Sequence, residues 1–487
     1  MEITRVLIRA AASSLALAVV AILPSAAHAG AFAPAQSAAV DALVGGALAE
    51  ARAPSASVAI VLGGKVVFAK AYGQRRLDPP EPAAVGTRYR IASISKQFTA
   101  AAVLMLADQG RLSLDDPVSK YLPEIGAANP ATIRQALSHT AGFPEFWRVD
   151  YLPLAQRTPV APEAIVERWG ARHPDYAPGT KWSYSNTDYV ILGRVVERVS
   201  GEPLMAFLTE HIFRPLDMTS AEDAFGRPLG SVDATGYERA GLGPPRPAGI
   251  AARGWGFGCG ELAMTASDLA RWDIGVIEQR LMSRAAYAAF EREVRLPDGG
   301  GTGYGLGVFV DTVRGHRRLR HNGQLPGFWG ENRVYPDDGA AIVVLVNGSY
   351  GESPENLIAD GIEKILMPSK AAPSSAPASA EQIAGALVQQ IVKGKLDRTR
   401  LTADASAYLS GAVLADYHRT FQMLGPTLAS RQIRSDSTGG VESRSWLLVW
   451  PTAKLVVSLQ VRPDGKVEEF LAIPVWERDD PIPAPPR

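Results

Sequence analysis

The chain has 487 residues, enough for two or three domains and a large core. Its 50 Lys and Arg residues balance 50 Asp and Glu, which argues against nucleic acid or an anionic membrane surface as a partner. The hydrophobic share of 46% is ordinary for a globular protein, and a single cysteine, Cys259, excludes an internal disulfide, so stability must come from packing.

Arg5 and Arg9 precede an apolar run from Ala10 to Leu23, and Ala27-His28-Ala29 closes it. That is the pattern of a signal peptide over residues 1–29, cleaved after Ala29, and it predicts an exported protein, periplasmic or secreted. The run is short and holds Ser13 and Ser14, so no stable membrane span is expected after cleavage. Residues 36–52 read as an alanine-rich helix. Residues 57–62 and 65–72 flank Gly63-Gly64 and read as a β-hairpin, followed by a polar loop over 74–87.

The stretch Ile91-Ala92-Ser93-Ile94-Ser95-Lys96 leads into an apolar run, Ala100 to Ala107, and Gly110 offers a stop. This predicts a helix opening at the serine. Positions i and i+3 share a helix face, so the Ser93 hydroxyl and the Lys96 amine could meet. A serine needs a base to become a nucleophile, and a lysine serves only when burial and the positive end of a helix keep it neutral. Ser-x-x-Lys alone is a weak signal, since a capped, solvated helix start has the same spelling.

Residues 132–137 read as a short helix ending in a turn at His139, where a tether for backbone groups is the expected role. Loop and helix follow to Pro178, with Trp147, Trp169 and the later Trp182 available to line a cleft. Tyr184 and Asn186 lie two apart before a helix over 190–199. In extended backbone they point the same way, as a proton shuttle and a polar anchor, or else they cap and pack that helix. Residues 200–217 read as helix and connector, 221–253 as a loop over one rim, and Cys259 as a small buried residue. Another helix opens at Thr265. Strands are expected over 304–310, 317–320, 329–335 and 340–346, the last two joined by the turn 336–339. Between them, His321-Asn322-Gly323-Gln324 places a histidine at a strand end and a glycine two later, where a backbone N–H could face a developing oxyanion. A helix over 353–366 closes the region. The histidines are scattered with no His-x-x-x-His pair, so no metal is called for.

Ser93-x-x-Lys96, Tyr184-x-Asn186 and His321-x-Gly323, in that order, resemble the serine β-lactamase and penicillin-binding-protein superfamily. The nearest likeness is to class C β-lactamases, family VIII esterases, D-alanyl-D-alanine carboxypeptidases and D-aminopeptidases. Leu114-Asp115-Asp116-Pro117, Leu137 to Gly142 and Pro326-Gly327-Phe328 match as well. The resemblance covers about residues 40–366. It implies an α+β fold: an antiparallel sheet flanked by helices, with a mostly helical insert. It implies an acyl-enzyme on Ser93, with Lys96 and Tyr184 as a coupled proton pair and Asn186 on the substrate amide or on Lys96. His321 would stand where many members carry lysine, and the N–H groups of Ser93 and Gln324 would form the oxyanion hole. No cofactor is implied.

Two departures matter. A histidine followed by Asn322 is only partly charged near neutrality, so it should anchor a substrate carboxylate weakly and disfavour β-lactams. Glu331 aligns with a small polar residue of the family and, if near the cleft, would favour an amine-bearing substrate. An ester, a D-amino-acid peptide and a β-lactam stay open as substrates, a small molecule or a peptide of peptidoglycan origin among them. A catalytically weak sensor of cell-wall fragments is the alternative. The oligomeric state is not legible.

The domain boundaries read as 30–366 for the hydrolase, 367–380 for a Pro-, Ala- and Ser-rich linker, 381–476 for a small α+β accessory domain, and 477–487 for a flexible tail. In the accessory domain, helices over 381–392 and 411–423 precede strands over 429–435, 443–450, 454–461 and 467–474, a pattern faintly similar to the NTF2-like group.

Overall fold

The computed structural model describes residues 32–126, 129–147, 152–225, 230–239, 244–350, 353–368, 380–425, 429–438, 441–462 and 464–475. The expected signal peptide, the expected tail and most of the expected linker lie outside these residues.

Helix α1 (Pro34–Ala51) leads to strands β1 (Ser55–Leu62) and β2 (Lys65–Leu77), a hairpin turned at Gly63 and Gly64, both with positive φ. Strand β2 continues past residue 72 because Pro80–Pro82, here β3, pairs with its far end. The nucleophile stretch follows as a 3₁₀ turn, Ala92–Ser95, running into helix α2 (Lys96–Asp108). The insert supplies α3 (Ile133–Leu137), α4 (Asn186–Ser200) and α5 (Ala266–Ile277). The described residues of 221–253 are mostly loop, as the lack of periodicity predicts, with two-residue strands at Glu222–Asp223, Tyr237–Glu238 and Arg246–Pro247. Then come β4 (Phe309–Val313), β5 (His316–Leu325), β6 (Phe328–Tyr335), β7 (Ala340–Val346) and α6 (Pro354–Leu366).

These strands make one seven-stranded antiparallel sheet in the order β3-β2-β1-β7-β6-β5-β4. Strand β7 is apolar at every position and buried at every position, because it lies mid-sheet with both faces covered. On one face Val58, Ile60, Ile342 and Val344 pack against Val40, Val44, Ile358 and Ile362 of α1 and α6. On the other, Ala59, Val61, Val343 and Leu345 join Ile94, Phe98 and Trp272. Each fully buried Val, Ile or Phe contributes about 1.5–3 kcal/mol, so this two-sided core anchors the α2 end of the cleft. A buried polar relay ties the same layer. Trp272 Nε1 donates to Gln97 Oε1 (3.1 Å), Gln97 Nε2 to Asn332 Oδ1 (2.9 Å), and Asn332 Nδ2 to both Asp273 oxygens (2.8 and 2.9 Å).

Residues 380–475 carry an apolar cluster of their own. Helices α7 (Ala380–Val392), α8 (Ala403–Tyr408) and α9 (Gly411–Leu424) accompany a four-stranded meander, β8 (Ala429–Thr438), β9 (Val441–Val449), β10 (Lys454–Val461) and β11 (Val467–Val475). The α+β reading therefore holds in both parts. Helix α8 was not expected; Thr402 caps it, its side chain accepting from Ala405 N (3.2 Å).

Candidate active site

Ser93 sits in the 3₁₀ turn, one residue after Ala92, whose φ of 50° is a left-handed conformation rare for a residue with a Cβ. The turn is pinned by strand β5. A Cβ on Gly323 would stand 2.1 Å from Ile91 O, so only glycine lets the strand pass there. The Ile91 backbone and the Ala92 side chain occupy the space beside it.

Lys96 follows Ser93 by one turn and is wholly buried. Its Nζ lies 3.0 Å from Ser93 Oγ, 2.8 Å from Asn186 Oδ1 and 2.7 Å from the Cys259 carbonyl oxygen. The amine also stands over the Tyr184 and Tyr189 rings, 4.9 and 5.6 Å from their centroids. Burial lowers its pKa to about 8 against the partly opposing pull of Glu145 and Asp188. Neutral, it keeps two N–H donors for Asn186 and Cys259 and turns a lone pair toward the serine hydroxyl. Cys259 is buried, its thiol pushed up to about 12, and its backbone carbonyl is what reaches the site.

Tyr184 has its pKa raised by burial well above the ordinary phenol value, against a smaller opposing pull from the nearby Ser93 hydroxyl. Its ring rests on His139, centroids 4.3 Å apart. His139 adopts a left-handed φ of 59° and is fully buried. Its carbonyl accepts from Ser183 N (2.9 Å) and Tyr176 Oη (3.2 Å), the tethering expected of it. The ring does more. Nδ1 lies 3.2 Å from Ser185 N and 2.8 Å from Asp188 Oδ2. Burial raises the pKa of Asp188 and lowers that of His139, so both groups are pushed toward their neutral forms beneath the tyrosine.

Asn186 opens α4 with no side-chain cap before it; the amide side chain is spent on Lys96 rather than on capping. Glu145, which the sequence reading missed, accepts from Asn186 N and Nδ2 (the latter 3.2 Å) and from Trp147 N. Burial raises its pKa, and the hydrogen bonds from Asn186 and Trp147, with a smaller pull from Lys96, draw it back.

His321 is placed differently from expectation. It is buried, its Nδ1 donates to Asn322 O (2.7 Å), and its Nε2 accepts from Tyr304 Oη (3.1 Å). Burial and the nearby Lys96 lower its pKa to about 3. A neutral imidazole with both nitrogens engaged offers no charge to a carboxylate. The residues of β5 that line the cleft are instead Asn322, Gln324 and the terminal Leu325, the first two on the opposite side of the strand from His321. The β4–β5 ladder ends at Phe309–Arg320, leaving the following backbone of β5 without that neighbour. Glu331 is also misplaced by the sequence reading. It sits in the face of β6 turned to α6, its Oε1 bonded to Arg333 Nε (2.8 Å), while Arg333 reaches Asp360 and Glu363.

The cleft itself has a volume of about 590 Å³. Ser93, Tyr184 and Asn186 lie in its wall with Glu145, Glu238, Trp147, Trp182, Phe309 and Trp329. Trp169, expected there, packs instead with Phe146 and Trp255. Among the described residues no group of three or more His, Cys, Asp or Glu could hold a metal.

A family model described as Beta-lactamase matches residues 40–366. A D-aminopeptidase from Brucella anthropi is 28% identical over 306 residues, 62% of this chain and 58% of that protein. Thus the chain spans little more than half the length of that relative. Among solved structures, a D-stereospecific amidohydrolase from Streptomyces sp. superposes with a TM-score of 0.59 at 25% identity, covering 68% of this chain and 98% of the other. An octameric penicillin-binding protein homologue from Pyrococcus abyssi shares the fold at 23% identity and a TM-score of 0.60, covering 90% of this chain and 99% of the other.

Proposed function

The chain belongs to the Beta-lactamase family, matched over residues 40–366, and from that premise we propose that it is an exported serine hydrolase that cleaves amides and esters of amine-bearing acyl groups through an acyl-enzyme. One observation carries the reading: a single serine oxygen lies 3.0 Å from a buried, readily neutral amine and shares the cleft wall with a buried phenol. Export rests on the pattern of residues 1–29, and residues 381–476 are assigned an accessory role.

The reaction follows from the contacts. Lys96, neutral, takes the Ser93 proton as Oγ adds to the substrate carbonyl. The N–H groups of Ser93 and Gln324 hold the oxyanion. Tyr184, protonated throughout the working range, gives its proton to the departing amine or alkoxide and regains one through Lys96. The carbonyl C–N or C–O bond breaks and an ester to Ser93 remains. Water then attacks that ester, Tyr184 and Lys96 remove its proton, and Oγ leaves with a proton restored.

The lining of the cleft supports the substrate class. It holds two carboxylates, Glu145 and Glu238, and no lysine or arginine among the described residues. A substrate with a free carboxylate, such as a β-lactam or a peptide C-terminus, meets repulsion there; an ammonium group is attracted. Glu145, held by Asn186 beside Lys96, is the partner assigned to an α-amino group. The names of the D-aminopeptidase and of the D-stereospecific amidohydrolase agree with D-amino-acid derivatives as substrates.

The test is a panel of D-aminoacyl p-nitroanilides and esters, their N-acetyl forms, and a chromogenic cephalosporin. The free amines should be turned over, N-acetylation should lower kcat/KM by about tenfold or more, and the cephalosporin should be the poorest substrate. Equal rates on free and acetylated forms would remove the amine from the assignment.

A further inference from the structure

Glu238 lies in the same cleft, but the catalytic steps above give it no part. It stands on a two-residue strand, Tyr237–Glu238, that is fastened from several sides. Tyr237 N donates to Asn347 O (3.0 Å), Ser349 N donates to Tyr237 O (3.0 Å), and Leu77 N donates to Tyr237 Oη (2.6 Å). The neighbouring Gly236 packs so tightly beneath Phe328 and Gly327 that a Cβ there would stand 2.4 Å from the phenyl ring. The backbone that carries Glu238 is therefore fastened beside Gly327 and Ser349, at the turn end of β5, and the side chain lines the cleft.

Position along β5 separates the two ends of the cleft. His321, beneath Tyr184, marks the end where a leaving group is protonated. Pro326 marks the other, five residues on, roughly 16 Å along an extended strand. Gln324, assigned to the oxyanion, lies nearer the Pro326 end. Glu238 thus serves the acyl half of a substrate, on the side away from the leaving group.

Among the described residues it forms no ion pair. Partial burial raises its pKa, and the N–H of Gly249 opposes that shift. Arg246 is its cross-strand neighbour, but that side chain is exposed, forms no ion pair with it, and is absent from the cleft wall. A partly desolvated carboxylate in a wall shared with Trp147, Trp329 and Leu325 gains most from a cation that arrives with the ligand. We propose that Glu238 forms a second cation subsite, selecting acyl groups that carry a basic side chain in addition to the α-amino group, as in amides or esters of lysine, ornithine or arginine. This deepens the function proposed above and rests on its assignment of Glu145.

Two readouts on the full chain test it. In the first, D-lysyl and D-norleucyl p-nitroanilides are compared; they differ by the terminal amine. The wild type should favour the lysyl substrate in kcat/KM by about tenfold, and Glu238→Gln should bring the ratio to within about twofold of unity. In the second, hydrolysis of a simple chromogenic ester is inhibited by 1,5-diaminopentane or by pentylamine. The diamine should bind about tenfold tighter in the wild type and lose that advantage in Glu238→Gln, whereas Glu145→Gln weakens both inhibitors. A diamine advantage that survives Glu238→Gln, or no lysyl or diamine preference in the wild type, overturns the subsite. If the aminoacyl anilides are not cleaved while the diamine advantage still depends on Glu238, the subsite stands and the assignment of aminoacyl substrates falls.

Discussion

The two folded parts of this chain bury different things. Around the cleft, Lys96, His139, Asp188 and His321 are each no more than 1% exposed. Among the described residues of 380–475 the buried set is apolar apart from Ser445, whose hydroxyl meets Ser458 across two strands (2.9 Å). Burying an amine or an acid costs stability unless it is fully partnered. The first region tolerates that cost beside one serine; the second has no such cluster. Where a domain buries ionisable groups that packing alone does not need is where its chemistry is to be sought.

The widest way to break this contrast is to remove the amine. Lys96→Met should lower kcat/KM by about 10³-fold or more, with the melting temperature shifted by no more than a few degrees, because the desolvated amine contributes little net stability. A large loss of stability would make Lys96 a structural residue. Tyr184→Phe, which keeps the ring on His139 and removes only the hydroxyl, should cost about 10²–10³-fold in kcat with KM less affected.

The pH dependence sharpens the same point. Lys96 is a base with its pKa lowered to about 8, so it is charged and inactive below that value and neutral above it. Tyr184 is held well above 10 and stays protonated. The account expects kcat/KM to rise with the loss of one proton, with a midpoint near pH 8 and no descending limb before about pH 10. A midpoint near 6.5 would point to a histidine. In the other region, Leu459→Ala, a side chain with no exposure in the apolar cluster, should destabilise by about 2–5 kcal/mol in denaturant unfolding. It should leave kcat of the folded protein within about twofold of wild type.

What could be read from the sequence follows the same division. Strand β7 was placed at its observed ends because an unbroken run of apolar residues has only a mid-sheet home. Strand β10 was placed as well, since it alternates buried and half-buried positions. Strand β5 was cut short at Arg320. His321-Asn322-Gly323-Gln324 looks like a loop because its exposed members are polar, and they are polar because they face the cleft. Ser93, Lys96, Tyr184 and Asn186 carry their chemistry in their side chains, so spacing could nominate them, and the fold brings them together. The Cys259 carbonyl has no such signal, because every residue type offers one. His321 reads from the sequence as a weak carboxylate anchor, and its contact with the distant Tyr304 shows that it is enclosed. Glu331 could have been read better. Its partner Arg333 lies two residues on, on the same face of a strand, and opposite charges at that spacing announce an ion pair rather than a ligand. Glu145 sat unnoticed among Phe143, Phe146 and Trp147, although an acid inside an aromatic run is itself a signal.

The central claim is that Ser93 is acylated during turnover. Acid-quenching the enzyme in the steady state with a slow ester substrate, then measuring intact and peptide masses, tests it without reference to substrate preference. The account predicts an added mass equal to the acyl group, located on the peptide that contains Ser93, and neither adduct nor turnover in Ser93→Ala. Continued turnover by Ser93→Ala, or an adduct on another residue, would contradict it.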